Sequence, residues 1–359
     1  MTAITTGSFP DLTIRAAVLS QLGAPLEIVD QITIPELRAG QVLVKIAYTG
    51  VCHSQVMEAR GSRGEDNWLP HMLGHEATGR VVATGEGVAK VAVDDLVVLG
   101  WIKGSGVECG GSQYGCDGRL INSGAITTFS DHAVISENRL VKLPDGVPLD
   151  VGVLFGCALP TGAGIVLNEL DPRPNSTIAI FGIGGIGVCA LLAAVTHDFA
   201  KVIAVDVSPD KLALAQQIGA DAIIDARQTD PVDAIRSMTD GGADYAVDAS
   251  GQTKVIEQAF AATNPSHGLT VFASHPKAGQ KITLDPHELI AGRQIRGSWG
   301  GASDPDVDVP KFAALYRAGK LPLEKLLTDR YRLDQINQAL DDLEAGRVMR
   351  PLIEVDANV

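Results

Sequence analysis

The sequence predicts an α/β protein in two parts: a doubly wound parallel sheet and a β-rich domain of short strands. Three observations predict it. Residues 177–181 favour β-structure and run into Gly182-Ile-Gly184-Gly185-Ile-Gly187, and an Ala/Leu-rich run to about Val195 follows, which reads as strand, tight turn and helix. From 177 to about 298, strand-like and helix-like runs alternate. Candidate strands lie at 177–181, 201–205, 222–224, 244–248, 269–273 and 294–298, with the clearest helices at 212–218 and 255–261. Six strands with crossovers are what such a sheet needs. From Ile14 to about Leu99 the runs are instead short, β-rich and punctuated by Gly and Pro, as in a small barrel.

Taken in order, residues 41–48 alternate in part between apolar and polar, and 79–84 are rich in β-formers. Residues 103–118 are Gly-rich and read as a loop, and 129–143 read as strands again. Residues 150–167 are apolar, contain Gly162 and Gly164, and read as helical. Asp171-Pro-Arg-Pro174 is a natural joint before the strand at 177. Residues 333–345 carry a helical pattern that ends at Gly346. No repeat of 20–50 residues is evident.

The glycine run has a physical reading. Gly182 permits the sharp turn, Gly184 lets a backbone approach a pyrophosphate, and Gly187 lets the helix lie close on the strand; Gly185 begins that helix. The helix N-terminus offers free N–H groups and a positive dipole end to phosphates. A second strand, 201–205, ends in Asp206, 19 residues after Gly187. A carboxylate there accepts hydrogen bonds from both ribose hydroxyls and repels a 2′-phosphate, which favours NAD over NADP. Lys211 lies five residues on, within reach of the same ribose. The nearly all-apolar stretch 177–195 also raises a membrane span, but its four spaced glycines and β-branched lead-in argue against one.

The 359 residues leave room for two domains, and 45% hydrophobic residues allow a large core. The net charge of −14 disfavours nucleic acid and anionic membranes as partners. Residues 1–10 have no basic region and no apolar core, so no signal peptide is expected. Five widely spaced Cys, an odd number, do not make a disulfide framework; a reducing cytoplasm fits better, with Cys free for metal.

Cys52, His75 and Cys157 are candidate metal ligands. Two thiolates and an imidazole form the donor set of a catalytic zinc whose fourth position stays open, and such a zinc is a Lewis acid toward an alcohol or carbonyl oxygen. They lie 23 and 82 residues apart, so spacing alone says little. The words around them say more: Gly50-Val-Cys52-His53-Ser54, Gly74-His75-Glu76-Ala-Thr-Gly79 and Gly156-Cys157-Ala-Leu-Pro-Thr161-Gly162, in that order and ahead of Gly182. This ordered set resembles the zinc-dependent medium-chain alcohol dehydrogenases over nearly the whole chain.

The resemblance implies a GroES-like β-barrel catalytic domain at 1–158 and 300–359, split around a Rossmann NAD-binding domain at 159–299, with the active site in the cleft between them. It implies Cys52, His75 and Cys157 as ligands of one catalytic zinc and Glu76 as a nearby acid that can approach it. Ser54 is the implied hydroxyl that hydrogen-bonds the substrate oxygen and starts a proton relay. His53 is implied to contact the cofactor pyrophosphate, and Thr161 the nicotinamide. Arg350, in Gly346-Arg-Val-Met-Arg350, stands where members carry an arginine for the pyrophosphate. Read on their own, Arg350 is equally a solvated helix-end charge and Glu76 an ion-pair partner in the barrel. Trp101 and Trp299 read either as pocket walls or as core or oligomer contacts.

Three departures stand out. Many members hold a structural zinc with four closely spaced Cys; here that region has only Cys109 and Cys116, which cannot close a tetrahedral site, so one catalytic zinc and no structural zinc is expected. The stretch 112–133 looks like what usually follows that lobe. Members commonly carry an Asp three residues after the first Cys ligand, to orient the zinc-bound histidine; this chain has Gln55, which lacks the charge. Relays often end in a His five residues after that Cys; here it is Met57, which carries no proton.

The expected function is a zinc-dependent oxidoreductase that transfers a hydride between NAD(H) and an alcohol/aldehyde or ketone pair, small molecules rather than nucleic acid or membrane. A zinc-free quinone or enone reductase of the same build is the alternative, and the three ligands count against it. A non-catalytic protein that keeps the fold is a third reading. The resemblance also implies a homo-oligomer, dimer or tetramer, and the departures suggest a bulkier or more polar alcohol than ethanol.

Overall fold

The computed structural model describes residue 9 and residues 12–359. The expectation of no signal peptide at residues 1–10 therefore lies outside the described residues, Phe9 apart. The chain divides into two compact units: Met1–Cys157 with Asp304–Val359, and Ala158–Ser303.

In the first unit, Thr13–Leu19, Glu27–Thr33, Gln113–Cys116, Arg119–Asn122 and His71–Met72 close a five-stranded barrel. Thr13–Leu19 shows why such strands are hard to read from sequence. Ile14, Ala16 and Val18 point into one core cluster, and Ala17 and Leu19 into another. With both faces buried, the period-2 pattern of a half-exposed strand disappears. A second sheet runs in the order Leu140–Lys142, Leu96–Gly100, Glu76–Thr84, Gln41–Gly50, Leu352–Glu354 and Arg330–Arg332, with His132–Ser136 also paired to Gln41–Gly50. Gln41–Gly50 is its central strand, buried at every position but Lys45.

The reading of 103–118 as one loop needs correcting. Gln113–Cys116 is a barrel strand, joined to Arg119–Asn122 by a two-residue turn, Asp117 at φ 47° and Gly118 at φ 77°. Asp-Gly is the preferred pair for such a turn, because both positions need positive φ. The helical reading of 150–167 is also divided: Leu149–Gly152, a 3₁₀ turn Val153–Gly156, Ala158–Gly164 and a π-helical Ile165–Leu170. The break falls at Cys157, whose φ of −150° is not helical.

The second unit is a six-stranded parallel sheet in the order Ala222–Asp225, Phe199–Asp206, Ser176–Phe181, Tyr245–Asp248, Leu269–Phe272, Gln294–Gly297. Chain order reverses between Ser176–Phe181 and Tyr245–Asp248, the switch point at which such sheets bind ligands. Helix Gly185–Ala194 is buried from Gly187 to its end, so the apolar run that raised a membrane span is a core helix. Among the described residues no single helix is long and apolar enough to cross a membrane.

Tyr114 is fully buried in the barrel, and its hydroxyl accepts the Val134 N–H at 2.8 Å. Tyr114→Phe leaves that N–H without its acceptor. We expect a loss of about 1–3 kcal/mol in stability, read as a lowered thermal unfolding midpoint.

Candidate functional site

The strands of the first unit bring Cys52 and His75 together. Gln41–Gly50 and Glu76–Thr84 are antiparallel, with Thr49 opposite Ala77, so the residues just beyond Gly50 lie beside those just before Glu76. Cys52 then sits at the N-cap of helix His53–Ala59. Cys157 arrives by a close backbone approach: a Cβ on Gly156 would lie 2.2 Å from the Leu99 carbonyl oxygen, so no other residue fits there. The ligand atoms of Cys52, His75 and Cys157 all fall within 4.8 Å of one another. His75 Nε2 is 3.2 Å from Cys157 Sγ, and both cysteines are buried.

The two thiols behave as one unit. Donation by the Cys157 thiol, helped by the Arg350 charge, holds Cys52 well below the ordinary thiol range, and the same contact with burial pushes Cys157 well above it. Glu76, fully buried, accepts from Arg350 at 2.5 and 2.6 Å through its two oxygens. Burial pushes the Glu76 carboxyl up, and the Arg350 charge opposes this. Arg350 is 4% exposed, so the solvated helix-end reading is corrected: its charge is held inside, and its Nε has no hydrogen-bond partner. Gln55, 1% exposed, hydrogen-bonds both the Cys52 N–H and His75 Nδ1.

Ser54 Oγ is buried without a hydrogen-bond partner, and His53 beside it is exposed. Met57 is half-buried on the same helix. Trp101 is half-buried, with its carbonyl bonded by Arg139; Trp299 is 71% exposed and meets the His275 ring edge-on at 6.0 Å. Cys109 Sγ donates to the Ala39 carbonyl at 2.9 Å, and Cys116 Sγ lies 3.9 Å from that of Asp30. Among the described residues a second set of donors, Glu58, Asp66 and His71, also gathers within 4.8 Å. It is already paired: Asp66 takes His71 Nε2 at 2.7 Å and Glu58 takes Arg63 at 3.1 Å.

In the second unit the glycine loop is built as the sequence suggests. Gly182 has φ 84°, and a Cβ on Gly187 would lie 1.8 Å from the Gly182 carbonyl oxygen. Gly184 is different: a Cβ there would meet nothing within 4 Å, so protein packing does not explain it. Gly184 is the N-cap of the helix that Gly185 begins. Asp206 ends its strand, with Oδ2 accepting the Ile183 N–H at 2.6 Å and Oδ1 those of Val207 and Ser208 at 2.8 and 2.9 Å. It therefore braces the loop as well as standing beside it. Lys211 is half-buried and Thr161 buried.

The sequence reading missed Asp248. It ends Tyr245–Asp248 at the switch point, opposite Phe181, fully buried. Ser250 donates to its Oδ1 through N–H and hydroxyl; Oδ2 has no partner, and burial pushes the carboxyl up to about 6. The signal was an acid closing a strand beside the glycine loop.

Removing one member of a buried ion pair strands the other. Glu76→Gln should cost about 3 kcal/mol, read from the unfolding midpoint. Glu76→Gln with Arg350→Met should recover part of that loss, the mark of a coupled pair.

Comparison with known proteins agrees with this layout. Residues 38–145 match the family described as alcohol dehydrogenase GroES-like domain, and residues 185–316 the family described as zinc-binding dehydrogenase. S-(hydroxymethyl)glutathione dehydrogenase of Komagataella pastoris is 31% identical, over 94% of this chain and 97% of that protein. The crystal structure of benzyl alcohol dehydrogenase from Acinetobacter calcoaceticus is similar with a TM-score of 0.86 and 31% identity, covering 96% of this chain and 99% of that one. A zinc-binding-domain alcohol dehydrogenase from Burkholderia ambifaria gives 0.84 and 32%, with 96% and 99% covered. Barrel, glycine loop and Cys/His cluster thus stand in one framework shared along almost the whole chain, which belongs to the zinc-dependent medium-chain alcohol dehydrogenase family.

Proposed function

We propose that the protein transfers a hydride reversibly between NAD(H) and an alcohol/aldehyde or ketone pair. One observation carries the reading: two thiols and an imidazole converge beside a buried carboxylate–guanidinium pair. The donor set suits zinc. Its charge does too. Two thiolates and one carboxylate beside one guanidinium leave two negative charges, the complement of a divalent cation. Cys52, His75 and Cys157 would hold it, with Glu76 close by. When bound, zinc supplies Lewis acidity toward the substrate oxygen and NAD supplies the hydride acceptor.

The remaining roles fall to the chain itself. Ser54 Oγ, buried and unpartnered, would accept a hydrogen bond from the substrate hydroxyl and pass its proton on. Met57 carries no proton, so the relay would leave Ser54 by the cofactor ribose or water. Gly184 leaves space for a pyrophosphate, and Gly182, Gly185 and Gly187 shape the turn and helix start that receive it. Asp206 and Lys211 would take the ribose and favour NAD. His53 and Arg350 would serve the pyrophosphate, and Thr161 the nicotinamide.

The substrate we propose is an alcohol bulkier or more polar than ethanol, in keeping with a relative that acts on benzyl alcohol by its name. A panel in which short linear alcohols turn over fastest would overturn that choice. A second copy of the chain would pair with the outer strand Gln294–Gly297, near exposed Ile290 and Trp299. Five free cysteines suit a reducing compartment such as the cytoplasm.

Protein supplied with zinc and then freed of excess should hold about one zinc per chain by elemental analysis, and Cys157→Ser should not, while NADH binding persists. Failure to take up supplied zinc, in protein that still binds NADH, would point to the zinc-free reductase. Two alanines separate shape from binding in the loop. Gly187→Ala should destabilise by about 1–3 kcal/mol through overpacking. Gly184→Ala should leave the unfolding midpoint within about 2 °C, yet weaken NADH binding about tenfold or more, read by fluorescence titration.

A further inference from the structure

Gln55 serves two neighbours with one amide. Its Oε1 accepts the Cys52 N–H at 2.8 Å, and its Nε2 faces His75 Nδ1. Gln55 is 1% exposed, and its contact with the Cys52 N–H is buried. A primary amide has one accepting end and one donating end. The groups therefore form a directed chain. Cys52 N–H donates to Gln55 Oε1, Gln55 Nε2–H donates to His75 Nδ1, and the ring proton sits on His75 Nε2, 3.2 Å from Cys157 Sγ. Every member is satisfied.

That satisfied arrangement conflicts with metal binding. For His75 Nε2 to ligate, its lone pair must be free and the ring proton must move to Nδ1. Nδ1–H then faces the Gln55 NH₂, donor against donor. Turning the amide over gives Nδ1–H its acceptor but places NH₂ against the Cys52 N–H. The mismatch is the same whichever way the amide points. Two N–H groups need two acceptors, and an amide has one. In this buried setting the unmatched donor costs free energy.

We infer that Gln55 is a positioning residue that lowers the zinc affinity of the Cys52–His75–Cys157 site, by fitting the metal-free hydrogen-bond chain and mismatching the metal-bound one. The inference rests on the reading of these three residues as a zinc centre. It makes the metal exchangeable, with loading set by the free zinc around the protein rather than locked in at folding.

The test is Gln55→Glu, a change of almost no volume that supplies two acceptors for the two N–H groups. The full-length protein is stripped and titrated with zinc against a chromogenic chelator. Gln55→Glu should bind zinc about tenfold or more tightly than wild type, and zinc should raise its unfolding midpoint further. Loaded with cobalt, both proteins should show the same thiolate charge-transfer bands, because the ligands are unchanged. Gln55→Met, which removes both bonds, should not tighten binding. Gln55→Asp is the second carboxylate, should the Glu variant fold poorly. Equal or weaker zinc binding by both carboxylate variants overturns the inference while leaving the zinc reading intact. Wild type and variants all failing to bind zinc, with Cys157→Ser no different, overturns both.

Discussion

Arg350 brings a permanent positive charge to a place where 4% of the residue is exposed, and fully buried Glu76 answers it through both oxygens. An isolated charge there would cost several kcal/mol, so each residue depends on the other. The sulfurs depend on both. Arg350 helps keep Cys52 low, and the Glu76 charge helps push Cys157 up. Gly50 belongs to the same arrangement, since a Cβ there would lie 2.7 Å from Glu76 Oε1. The strand packing and the electrostatics of the centre are thus one constraint.

The two units hold their sites by different means. In the first, side chains converge from separate elements, and their charge and hydrogen-bond parity decide what fits. In the second, backbone dominates: a turn, a helix start and three N–H groups gathered by Asp206. A backbone site tolerates side-chain change except where a Cβ collides, which is why its glycines are so readable. A side-chain site can alter its behaviour through one substitution that leaves its shape intact, as at residue 55.

What was legible follows from this difference. The parallel sheet could be read nearly strand by strand, because Gly, Pro and acidic residues bound each apolar run. The barrel was harder, because strands buried on both faces lose alternation, and the Gln113–Cys116 strand was lost behind a glycine-rich stretch although Asp117-Gly118 marked its turn. The cluster at Cys52, His75 and Cys157 was legible through its surrounding words and not through spacing. The pairing of Glu76 with Arg350, 274 residues apart, had no local signature. Gln55 could be placed opposite His75 by position, whereas its second bond, to the Cys52 N–H, needed coordinates.

The same separation has a consequence for how the centre is made. At about 5–20 residues per second on the ribosome, Arg350 follows Glu76 by an interval on the order of tens of seconds. Strand Leu352–Glu354, which closes onto Gln41–Gly50, is made later still. The whole of Ala158–Ser303 is synthesised in between. A nascent chain therefore carries the carboxylate and all three candidate ligands long before the guanidinium that compensates them exists. Until then those groups have every reason to stay in water, and the reactive thiols are exposed to oxidants and to stray metal for that interval.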